Sequence, residues 1–149
     1  MSPILSDRQL AILRNRAGES VPVPPAPRAR PRNEESQIQK SLIKWWDVVC
    51  REYGLTPSHL FAIPNGGKRD VITASRLKAE GARAGVADLF LMVPVGKASG
   101  LFIELKAPGG RPSKEQKAFL ELAFEQGYAT ALCDSLKAAE AAIKLYLKK

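Results

Sequence analysis

The chain has little of what usually carries soft-metal or redox chemistry: 149 residues include one histidine and two cysteines. Cys50 and Cys133 stand far apart in apolar surroundings with no CxxC spacing, and His59 alone completes no zinc signature. The two thiols read as reduced core residues, and His59 as a surface or strand-edge residue rather than a base. Long apolar runs are also missing. None approaches the roughly 20 residues that cross a bilayer, and the N-terminus shows neither the apolar region nor the small-residue cleavage site of a secretory signal. These absences lead to the expectation of a soluble, cytoplasmic protein with no membrane partner. Acidic residues are outnumbered 15 to 23 by Lys and Arg, giving a formal net charge of +8 and a pI near 9.7. Such a balance favours polyanions, of which nucleic acid is the commonest. What remains is enough for one core: 45% of the residues are hydrophobic.

Residues 1–33 differ from the rest. Ser6-Asp-Arg-Gln9 resembles a capping box before a short apolar pattern, so a short helix is expected there. Gly18 to Asn33 is rich in proline and arginine and too poor in hydrophobic residues to build a core; it reads as an extended arm. From Glu34 a helix is clear, with Ile38, Leu42, Trp45, Trp46 and Val49 on one stripe and Gly54 and Pro57 as its stop. Leu60-Phe-Ala-Ile63 is a strand candidate, and Ile72 to Glu80 a helix. The apolar runs Asp88 to Pro94 and Gly100 to Ala107 read as strands. Ser113 to Gln126 reads as a helix, Ala129 to Cys133 as a strand, and Leu136 to Leu147 as a closing helix. The order predicts an α/β fold with helices packed around one small sheet, and there is no internal repeat.

The two central strands hold the unusual residues. Asp88 opens one, and Glu104-Leu105-Lys106 lies inside the other; charges in such runs are costly unless paired, hydrated or bound to metal. If Pro94 is paired with Gly100, then Leu89 faces Leu105, Leu91 faces Ile103 and Val93 faces Leu101, which makes an unbroken aliphatic face. The opposite face then carries Asp88 across from Lys106, with Glu104 on the diagonal and Phe90, Met92 and Phe102 beyond. Two carboxylates with a neighbouring ammonium are what metal-assisted phosphodiester hydrolysis requires. Taken singly, each charge also fits an ordinary turn cap or exposed ion pair.

Further candidates follow from helical phase. Glu35 and Gln39 project from the core-facing side of the first helix, with Glu34 a competing carboxylate and a helix-dipole role an alternative for either. Gln116 fits a capping box with Ser113, yet it precedes Phe119, Leu120 and Ala123 on the stripe turned toward the sheet. The Asn65-Gly66-Gly67 loop with Lys68 and Arg69, and Arg76, Lys78 and Arg83 around the second helix, suit nonspecific phosphate contacts or a solvated charged surface.

These residues form an ordered series: Glu35-Ser-Gln-Ile-Gln39, Ile63-Pro-Asn-Gly-Gly67, Gly81 through Asp88-Leu-Phe90, Gly100-Leu-Phe-Ile-Glu-Leu-Lys106, Ser113-Lys-Glu-Gln116 and Gly127-Tyr128. Over residues 34–148 the chain resembles the VRR-NUC family, the virus-type replication-repair nucleases of the PD-(D/E)XK superfamily. One departure is Ala87, where the family usually has proline. The resemblance implies a restriction-endonuclease-like mixed sheet of about four strands flanked by helices. It implies hydrolysis of DNA with Mg²⁺ or Mn²⁺. Asp88, Glu104 and the Leu105 carbonyl would be ligands, joined by Glu35 if the first helix contributes one. Lys106 would act on water and transition-state charge, and Gln116 would support the site. It further implies a homodimer acting on branched DNA such as a Holliday junction, in a bacterial or phage-infected cell. The rival expectations are an inert branched-DNA-binding module of the same fold, against which the intact Asp88, Glu104 and Lys106 speak, and an interaction subunit recruited through the arm.

Overall fold

A computed structural model describes residues 33–64 and 71–148. The expected N-terminal helix and Pro/Arg-rich arm, and the Asn65 to Arg69 loop, lie outside the described residues. Helix α1 (Asn33–Val49) runs into a 3₁₀ turn, Cys50–Tyr53, that Gly54 ends at φ 71°. Leu42, Trp46 and Cys50 recur every fourth residue and are buried together. The Trp46 indole donates to the Pro57 carbonyl at 3.1 Å, fixing the path into a second 3₁₀ turn, Pro57–His59. Strand β1 (Leu60–Ala62), helix α2 (Val71–Ala79), strands β2 (Leu89–Leu91) and β3 (Leu101–Leu105), helix α3 (Lys114–Glu125), strand β4 (Ala129–Cys133) and helix α4 (Leu136–Leu147) follow. The expected element order is present, with boundaries shifted by a few residues at most.

The sheet order is β1-β2-β3-β4; the first two pairings are antiparallel and β3 with β4 is parallel. One face is aliphatic: Leu89, Leu91, Leu101, Ile103 and Leu105 pack with Ala131 and Cys133 against Leu42 and Trp46 of α1 and Ile143 and Tyr146 of α4. On the other face Phe90 and Phe102 stack, with ring centroids 4.6 Å apart, and Phe119 of α3 meets Phe102 edge-on at 5.1 Å. Tyr128 closes the group against both strand rings. This aromatic layer seats α3 across β3 and β4.

The register corrects the expected one. Leu89 faces Ile103, Phe90 faces Phe102 and Leu91 faces Leu101, a shift of two residues from the pairing of Leu89 with Leu105. The ladder to β3 ends at Leu91: the Val93 carbonyl beyond it accepts from the Tyr146 hydroxyl at 2.7 Å, while on the other edge the Met92 N–H continues the β1 pairing, donating to the His59 carbonyl at 2.8 Å. Val95 and Ala98 then close a separate tight turn through Gly96, at φ 55°. Since side chains alternate with period two, a two-residue shift keeps every residue on its expected face.

Ile103 is fully buried at the centre of the aliphatic face, whereas Leu122 on α3 is 53% exposed. Ile103→Ala is expected to cost about 2–5 kcal/mol of unfolding free energy, and Leu122→Ala about 0.5 kcal/mol or less. Urea titrations check both.

Candidate active site

Asp88 and Glu104 reach the site by being neighbours in the corrected ladder, one step beyond the Leu89 and Ile103 pair. Asp88 is also tied to β3 through its side chain: Oδ2 accepts the Leu105 N–H at 2.8 Å. Its own backbone carbonyl accepts from Ile63, so β1, β2 and β3 are all pinned at this point. The Leu105 N–H is an anchor that no residue pattern announces, because such a contact depends on register.

Glu104 is 1% exposed, rare for a carboxylate in a strand. Its Oε1 takes two donors, the Lys106 ammonium at 2.9 Å and the Gln116 amide Nε2 at 2.5 Å. Oε2 is buried without a hydrogen-bond partner among the described residues. Gln116 performs both functions left open by the sequence. Its Oε1 accepts the Ser113 N–H at 2.8 Å, its own N–H donates to Ser113 Oγ at 3.1 Å, and its Nε2 still reaches Glu104. A capping box at the start of α3 thereby holds the Gln116 amide against Glu104 of β3.

Of the two helix carboxylates, Glu35 is the one that turns to the site. Its Oε1 lies 3.9 Å from Lys106 Nζ and accepts the Ala107 N–H at 3.3 Å, so the ammonium sits between Glu104 and Glu35. Arg76, Lys78 and Arg83 are exposed. Arg76 is 3.7 Å from Glu80, a solvated pair on α2.

Burial sets the electrostatics. It raises Glu104 to about 7, with the charges of Asp88 and Glu35 adding and Lys106 opposing. Asp88 is raised as well, again chiefly by burial and further by Glu35, against the Leu105 N–H and Lys106. Two crowded carboxylates and a buried oxygen lacking a donor suit a hard cation. Among the described residues no three His, Cys, Asp or Glu side chains form a group able to hold one. Mg²⁺ does not need such a cage, since it commonly takes one or two carboxylates and completes its shell with water and substrate phosphate. Asp88 and Glu104 therefore fit the ion, and Glu35 is placed as a partner of Lys106.

The direction of the Glu104 shift fixes a pH dependence. The folded carboxyl holds its proton up to about pH 7, while the unfolded one releases it near 4.5. Between those values the folded state binds more protons, so metal-free stability falls as pH rises. EDTA-treated protein is expected to melt at a lower temperature at about pH 7.5 than at about pH 5, and Glu104→Gln to reduce that drop. A wild-type melting temperature that climbs over this interval contradicts the assignment.

The VRR-NUC domain family model matches residues 33–137. A solved structure of a VRR-NUC domain protein superposes with a TM-score of 0.66 at 22% identity, covering 76% of this chain and 87% of that one. At that identity the likeness speaks to the fold alone. No curated protein matches the chain. With the family model spanning most of its length and the same fold in that structure, the chain belongs to the VRR-NUC family, and the matched region is a nuclease-type domain.

Proposed function

We propose that the protein is a divalent-metal-dependent endonuclease that hydrolyses DNA phosphodiester bonds, selective for branched DNA such as four-way junctions. The observation that carries the reading is the buried Oε2 of Glu104, without a hydrogen-bond partner among the described residues, beside Asp88 and with Lys106 at hand. Asp88 and Glu104 would hold Mg²⁺ or Mn²⁺, which when bound supplies positive charge to the scissile phosphate and acidity to water. The protein's own groups do the rest. The Leu105 N–H holds Oδ2 of Asp88 and so fixes the carboxylate against β3. Gln116 and Lys106 hold Glu104 Oε1, and Oε2 is the oxygen that would meet the ion. Lys106 lies between two carboxylates and would present its ammonium to the attacking water and to charge building on the phosphoryl oxygens. Water adds to phosphorus, the bond to the leaving sugar oxygen breaks, and that oxygen takes up a proton.

DNA as the substrate is supported by the net charge of +8 and by the family. The basic residues Lys68, Arg69, Arg76, Lys78 and Arg83, with Asn65, Gly66 and Gly67, are proposed to contact its backbone, and a homodimer is proposed as the acting form. Among the described residues no helix is long and apolar enough to cross a membrane.

The test is cleavage of four-way junction, flap, nicked and linear DNA with Mg²⁺, Mn²⁺ or EDTA, with light scattering to read the oligomeric state. Asp88→Ala, Glu104→Ala and Lys106→Ala are each expected to lower kcat by about 10²-fold or more. Cleavage that persists in EDTA and in both carboxylate variants overturns the mechanism. Junction binding with no turnover under any metal supports the inert-module alternative.

A further inference from the structure

Gly85 occupies the loop between α2 and β2, three residues before Asp88, at φ +85°. It lies against the first turn of α3: a Cβ built there would stand 2.5 Å from the carbonyl carbon and oxygen of Glu115 and 2.8 Å from its Cβ. The obstruction is mainly backbone, which a rotamer change cannot relieve. Gly81, at the other end of the loop, has a comparable left-handed φ of +104° but nothing within 4 Å of its Cβ position. The two glycines thus separate a conformational requirement from a contact requirement.

The contact closes a ring through the site. Glu115 is followed by Gln116, whose amide donates to Glu104. Glu104 is followed by Leu105, whose N–H donates to Asp88 Oδ2. Asp88 leads back along the chain to Gly85. The two carboxylates are therefore set by two routes, one across the strands and one through the seating of the loop on α3. We propose that Gly85 is a positioning residue for divalent-metal binding: its missing side chain lets the Asp88 loop dock on the helix that orients Glu104. This rests on the metal-dependent reading above and adds a residue that never touches the ion.

The test compares Mn²⁺ binding by isothermal titration calorimetry, and the Mn²⁺-induced rise in melting temperature, for wild type, Gly85→Ala and Gly81→Ala. Gly85→Ala is expected to bind Mn²⁺ about ten- to hundredfold more weakly, while Gly81→Ala binds as wild type does. Equal weakening in both, or none in Gly85→Ala, overturns the positioning role. A wild type that binds no Mn²⁺ removes the metal reading itself and this inference with it. If Gly85→Ala shows no cooperative melting, hydrogen exchange on the wild-type chain decides. Mn²⁺ is then expected to protect residues 85–88 and the α3 amides of Gln116 and Lys117 with one midpoint. Protection confined to residues 85–88 overturns the proposal.

Discussion

The structure turns on one buried carboxylate. Glu104 sits inside a strand of the central sheet at 1% exposure, where an ionised group is stable only if its surroundings supply charge and donors. Lys106 and Gln116 supply them to one oxygen, and the other has no hydrogen-bond partner among the described residues. The local arrangement follows from that need. Lys106 is two residues along the same strand and so on the same face. The first turn of α3 has to arrive close enough for Gln116 to reach, and Glu35 has to come from α1 to share the ammonium.

The sheet meets these demands by dividing its faces. The aliphatic face is packed by α1 and α4 and supplies the hydrophobic stabilisation. The opposite face is aromatic under α3 and polar at one end. Phe102 and Phe119 hold the helix down, so that the capping box at its start lands on Glu104. Placing the polar groups beyond the aromatic layer leaves the main core apolar while keeping the carboxylates in a low-dielectric setting, which is what raises Glu104 and Asp88.

Much of this was legible in the residue pattern. Strand alternation put Asp88, Glu104 and Lys106 on one face and the leucines on the other, and helical phase turned Glu35 and Gln116 toward the sheet. These readings survive the two-residue register correction because they depend only on periodicity. The choice between Glu34 and Glu35 was not legible, since neighbouring residues in a first turn differ by one step of rotation and either reads as a dipole residue. Nor was the double use of Gln116, where local capping and a distant ligand contact were set against each other as alternatives.

The sequence by itself determined the element order, the division of the sheet into an apolar and a chemical face, and the residues that populate the chemical face. Its warrant is the period of strand and helix, a local property. Tertiary structure alone decided the register, the anchoring of Asp88 by the Leu105 N–H, the unpartnered oxygen of Glu104 and the seating of Gly85 on Glu115. Each depends on how chain segments far apart in sequence meet at particular backbone groups, as Tyr146 does when it takes the Val93 carbonyl just beyond the end of β2.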